Sequence, residues 1–191
     1  MKNHHQALQT RLNENANAEV ALAAGRFFPQ KINALGISNP DVMRLADGYI
    51  KANPQLTPQN RLAITEQLLA DGQNHEQIML AIALIRKVMK QHLERHLDQH
   101  LLERFQYWLE HYVTNWARCD DLCLKVIYPF FLSRTDLITQ IGHWYDSPTI
   151  WCKRAANVAL IKFIWRDIGK TQYRLPLTVV FDNSQKLLAD S

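Results

Sequence analysis

Along nearly the whole chain, apolar residues recur at the three-to-four-residue spacing of one face of an α-helix. The pattern predicts helices near residues 3–26, 40–52, 57–71, 75–94, 97–113, 116–132, 134–146, 148–168 and 176–189. Start signals reinforce several of them. Asn39-Pro40 and Thr57-Pro58 each set a capping residue before a proline suited to the first helical turn. Ser133 or Thr135, and Ser147-Pro148, mark later starts in the same way. Pro129 falls inside the 116–132 segment and is expected to kink it or end it early, since proline lacks the N–H and its ring crowds the preceding turn. The one strand-like run, residues 175–181, reads as the opening of the last helix.

Connections of roughly two to five residues imply that consecutive helices pack as antiparallel pairs. Pair starts near residues 57, 97, 134 and 176 recur at about 40 residues, the period of HEAT-like repeats, with little residue identity between units. No linker or low-complexity stretch divides the 191 residues, so a single domain over 1–191 is expected. With 47% hydrophobic and 21% charged residues the composition is that of an ordinary globular protein. Three cysteines, an odd number without framework spacing, point to a reduced, cytoplasmic compartment. No apolar run approaches the roughly 20 residues of a membrane span, and no apolar signal core follows the N-terminus. A net charge of +4, with 8 histidines in reserve, is compatible with a polyanionic partner without establishing one.

Candidate chemistry lies in two segments. Trp116 and Asp120, four residues apart, project from one face of the helix they open, and set an aromatic surface beside a carboxylate. Such a pair suits cleavage of an N-glycosidic bond, where positive charge builds on the sugar and a fixed carboxylate stabilises it. The same residues also fit plainer roles. Asp120 and Asp121 would oppose the helix dipole near an N-terminus, and Trp116 would be a core aromatic. In the second segment, Arg154 stands near the start of a strongly apolar helix, where it would hold a phosphate or pair with a carboxylate such as Asp146. Lys153, Lys162, Arg166 and Lys170 would extend a basic strip, or simply form a solvated face. His92, His96 and His100 make a stripe that a break near Leu97-Asp98 would interrupt, so a solvated face is expected rather than a metal site. Cys119 and Cys123 read as buried small apolar groups.

Asn115-Trp116 with Asp120, and Trp151-x-x-Arg154-Ala155-Ala156 one helix later, resemble the active-site segments of the DNA alkylation repair (AlkD-like) glycosylases. Upstream, residues 35–40 (Leu-Gly-Ile-Ser-Asn-Pro) look like that family's Gly-Ile/Val-x-x-Pro turn, and His75-Glu76 with Ala81-Ile82-Ala83 like its next helix. The similarity runs in order over nearly the whole chain. It implies an all-α fold of HEAT-like antiparallel helix pairs, stacked into a right-handed superhelix whose concave face binds duplex DNA. It further implies a monomeric, monofunctional glycosylase that needs no cofactor or metal. Such an enzyme hydrolyses alkylated, cationic purines such as 3-methyladenine and 7-methylguanine from duplex DNA without flipping them into a pocket.

By the resemblance, Asp120 is the catalytic carboxylate and Trp116 the sugar-contacting aromatic, while Arg154 holds the backbone near the lesion. Lys153 and Lys162, from the basic strip, are expected to add neighbouring DNA contacts. Phe27 stands where the family often has a tyrosine nine residues before the turn glycine, which keeps stacking and loses a hydroxyl. The family's second active-site tryptophan comes from a later Gly-Trp context that nothing after Arg154 matches. The pattern puts Trp165 on the wrong helix, so the chain is expected to be C-terminally short of the family. The alternatives are a DNA-binding relative that has lost excision and a HEAT-like scaffold for a protein partner.

Overall fold

A computed structural model describes residues 2–90, 95–168 and 171–189. The chain is all-α: among the described residues there are ten α-helices and a single two-stranded hairpin. No helix among the described residues is long and apolar enough to cross a membrane. His92 and Lys170, with the side chain of His96, lie outside the described residues. The chain divides into two compact units, residues 1–88 and 89–191.

The first unit holds α1 (Lys2–Glu14), α2 (Ala18–Gly25), α3 (Asn39–Ala52), α4 (Pro58–Asp71) and α5 (His75–Ile85). The expected helix over 3–26 is broken in two. Asn17 turns its side chain onto the N–H groups of Glu19 and Val20, both at 3.1 Å, and so starts α2 afresh. Helix α5 is buried at every residue from Glu76 to Ile85, as its all-round apolar sequence requires, with α3 and α4 packed on it. It ends at Ile85, short of the predicted 94, and a 3₁₀ turn follows at Val88–Lys90.

Glu76, only 2% exposed, joins two of the segments that carry the resemblance. Its carboxylate accepts the N–H groups of Leu35 (2.8 Å), Gly36 (2.8 Å) and Ile37 (3.2 Å). Gly36 has φ +79°, and a Cβ there would stand 2.0 Å from the Asn17 carbonyl oxygen, so only glycine fits. The turn and the helix are therefore one piece of architecture.

The second unit begins with α6 (Arg95–His111). Next come α7 (Trp116–Leu122), a π-turn (Cys123–Ile127) and α8 (Tyr128–Phe131), which run on without a break. Pro129 therefore does not end this helix. The π-turn widens it, with Tyr128 N–H bonded to the Cys123 carbonyl five residues back, and that slack accommodates the ring and the missing N–H. Residues Thr135–Asp146 form a 3₁₀ helix in place of the expected α-helix. Helix α9 (Ile150–Val158) stops ten residues before the predicted end at 168; a 3₁₀ turn (Ile161–Phe163) then leads into the antiparallel strands β1 (Arg166–Ile168) and β2 (Thr171–Tyr173). Helix α10 (Leu177–Ala189) falls where the sequence placed the last helix. Phe105, Trp108, Phe130, Phe131, Trp144 and Phe163 are fully buried and make the aromatic centre of this unit.

Candidate active site

Two helices of the second unit carry Trp116, Asp120, Lys153 and Arg154, and the sequence caps both. Asn115 opens α7, its Oδ1 accepting the Arg118 N–H at 3.0 Å. Thr149 opens α9, its Oγ1 accepting the Cys152 N–H at 3.4 Å. Asp120 and Arg154 are each the fifth residue of their helix. Asp120 thus lies beyond the first turn, where the dipole acts most strongly. Opposition to the dipole does not account for it.

The helices α7 and α9 are in contact. Cys119 Sγ lies 3.4 Å from the Trp151 carbonyl oxygen and Cys123 Sγ lies 3.9 Å from that of Ala155. These are two rungs one helical turn apart on each side. All three cysteines are buried and free, Cys119 and Cys123 as their spacing suggested. Burial pushes the Cys152 thiol up to about 12 and the Cys123 thiol well above its ordinary range, so both are neutral near physiological pH. As a thiol, Cys123 keeps the proton that the Ala155 carbonyl accepts.

The rungs bring the residues beside them together. Arg154 meets Asp120 through a two-bond fork, Nε to Oδ1 at 2.9 Å and Nη2 to Oδ2 at 2.9 Å. The side chains are 41% and 27% exposed, so solvent reaches the pair from one side. The hydrogen bond to Asp120 raises the Arg154 pKa further, and its charge is fixed. The neighbouring carboxylate, Asp121, is held on its own helix by Lys125 at 2.8 Å. Trp116, one turn before Asp120, is 43% exposed and is not a core aromatic.

Arg154 therefore does pair with a carboxylate, but that partner is Asp120. Asp146, the partner weighed from sequence, lies 3.8 Å from Lys186 instead. Lys153 is half-buried on α9. Lys162 is on the 3₁₀ turn and Arg166 on β1, not on an extended α9, and both cations lie over the Tyr128 ring at 4.9 and 5.9 Å from its centroid. Trp165 precedes β1 and belongs to no helix. Phe27 is in the first unit, 75% exposed, just past α2. Trp116, Asp120, Lys153 and Arg154 thus share α7 and α9, while Lys162 and Phe27 come from other elements.

The fork leaves chemistry in reserve. A guanidinium has five N–H donors and Asp120 uses two, so three remain for another anion. Each carboxylate oxygen keeps acceptor capacity for a water or for a developing cation. The arrangement is a locked carboxylate with an arginine behind it and an aromatic surface one turn away.

The family model for the DNA alkylation repair enzyme matches residues 8–191. No curated protein matches the chain.

Proposed function

This chain belongs to the DNA alkylation repair enzyme family, and from that premise we propose that it hydrolyses the N-glycosidic bond of alkylated, cationic purines in duplex DNA. Membership gives it a role in DNA repair, with DNA as the partner. The finer reading rests above all on one observation, the two-bond fork that fixes Asp120 on the half-exposed face where Trp116 also lies. Purines such as 3-methyladenine and 7-methylguanine already carry positive charge. The C1′–N bond breaks with its electron pair leaving on the purine, which becomes neutral. Asp120 stabilises the oxocarbenium-like sugar and orients the water that adds to C1′, whose proton leaves to Asp120 or to solvent. Trp116 packs on the deoxyribose and adds a cation–π contribution. Arg154 spans Asp120 and a backbone phosphate with its remaining donors, and Lys153, Lys162 and Phe27 add contacts along the duplex. No lysine takes a nucleophile's role, so the product is an abasic site. In this reading the protein is a cytoplasmic monomer whose helix pairs stack in HEAT-like fashion.

The same pair also favours a second reading, a relative that binds DNA without excising bases. A carboxylate already neutralised by an arginine gives less to a developing cation than a bare one. Asp120→Asn separates the two. Under the glycosylase reading, release of methylated bases falls about 100- to 1,000-fold while duplex binding is kept. Absence of release by the wild-type protein, with binding intact, establishes the second reading.

A further inference from the structure

The segment that departs most from the helical expectation, residues 161–174, carries an arrangement that the glycosidic chemistry does not use. Trp165 is 75% exposed. It is nevertheless held in place: the Arg174 guanidinium lies 3.8 Å from its ring centroid. Arg174 is itself anchored, with Nη1 donating to the carbonyls of Tyr173 (2.8 Å) and Arg166 (3.2 Å) and Nη2 3.5 Å from Asp167. A row of aromatic rings runs into the hairpin, Tyr128 to Phe163 at 5.1 Å and Phe163 to Tyr173 of β2 at 5.4 Å. Lys162 and Arg166 are exposed and lie over the Tyr128 ring. Among the described residues neither meets a carboxylate, and Asp167 is engaged by Arg174.

An indole kept in solvent on a braced support, beside cations seated on an aromatic face, suits a polyanion with flat groups between its charges. A peptide groove would show the reverse, an apolar trough with a polar rim. Tyr128 also stands eight residues from Asp120 on the continuous helix, about 12 Å of rise. That distance is about three to four base pairs of duplex. We infer that the Trp165 hairpin surface, with Arg166 beside the Lys162 already assigned to the duplex, is a second contact for duplex DNA. The cations take phosphates, and the indole packs on the sugar and base edges of the groove. The inference rests on the reading of Asp120 and Arg154 as a site on the same duplex.

The test is binding to an undamaged, fluorescein-labelled duplex, followed by anisotropy from 50 to 200 mM salt (about the range over which phosphate contacts are read out). Changing Lys162→Gln and Arg166→Gln together lowers the log–log salt slope by about 2, since each phosphate contact contributes about 0.9. Trp165→Ala weakens binding about fivefold at every salt concentration, through lost apolar packing on the sugar, and leaves the slope unchanged because the indole carries no charge. Trp165→Phe stays near wild type, and melting curves of each variant separate lost contact from lost folding. The inference is overturned if the folded variants match the wild type in affinity and slope, or if the wild type shows no salt-sensitive binding. Because undamaged DNA is used, the outcome is independent of excision. Wild-type binding without base release leaves this surface standing while the glycosylase reading fails; base release with unaltered variants sinks this inference alone.

Discussion

Replacing Glu76 by Gln is the sharpest test of how the first unit is held. The buried carboxylate accepts three backbone N–H groups, from Leu35, Gly36 and Ile37. An amide has only one oxygen. In its best orientation that oxygen keeps Gly36 and Ile37, which share Oε1, and the NH₂ then faces the Leu35 N–H, donor against donor. The loss combines one bond to a charged acceptor, worth about 1.5–3 kcal/mol, with a weakening of the other two once the charge is gone. We expect a destabilisation of about 3 kcal/mol. For a protein of this size each kcal/mol moves the melting temperature by about 2–4 °C, so the shift is roughly 6–12 °C. Glu76→Ala, which deletes all three acceptors, should cost more. The assay is thermal or urea unfolding followed by circular dichroism. A Gln variant melting within about 2 °C of wild type would show that the turn is held without the carboxylate. Base release measured well below the melting point should be unaffected, since Glu76 acts on folding alone.

Three further predictions follow from the second unit. Cys123→Leu adds volume at a fully buried rung against Ala155; it should destabilise by about 1–3 kcal/mol and reduce base release more than Cys123→Ala does, measured by unfolding and excision side by side. The Cys152 thiol, raised by burial to about 12, favours the folded state fully below its unfolded value near 9 and loses that contribution as pH rises towards 12. Urea unfolding between those limits should therefore show stability falling more steeply in the wild type than in Cys152→Ala. Arg154→Lys exchanges the fork for a point charge. With the pair partly exposed, stability should change by under about 1 kcal/mol, whereas base release should drop at least about tenfold.

Local signals were legible where one residue decides the backbone. Thr57 caps α4 ahead of Pro58, and Thr149 caps α9 just past Ser147-Pro148, close to where the start signals fell. Trp116 and Asp120 share a helical face because spacing alone dictates it. Competing local choices were harder to see. Asn17 breaks the first segment because its side chain satisfies a new helix start, which apolar periodicity does not register. The 3₁₀ helix over Thr135–Asp146 looks α-helical in sequence because its buried apolar residues offer both spacings, Leu137, Ile141 and Tyr145 at four and Ile138, Ile141 and Trp144 at three. The strands had a sign that the largely apolar run from Val158 to Ile164 masked: Ile168 and Thr171 are β-branched residues typical of strands. The Asp120–Arg154 fork joins residues 34 apart in the chain, and nothing in either segment alone selects Asp120 over Asp146 as the partner. Tertiary contact between α7 and α9, through the cysteine rungs, makes that choice.

The most direct test of the account is release of methylated bases from duplex DNA treated with a methylating agent, by the wild-type protein and by Asp120→Asn side by side. Release by the wild type is expected, with a loss of about 100-fold or more in the variant and with melting temperature and duplex binding nearly unchanged. Equal release by the two proteins would remove Asp120 from the chemistry, and no release by the wild type would leave a protein that binds DNA without cutting the glycosidic bond.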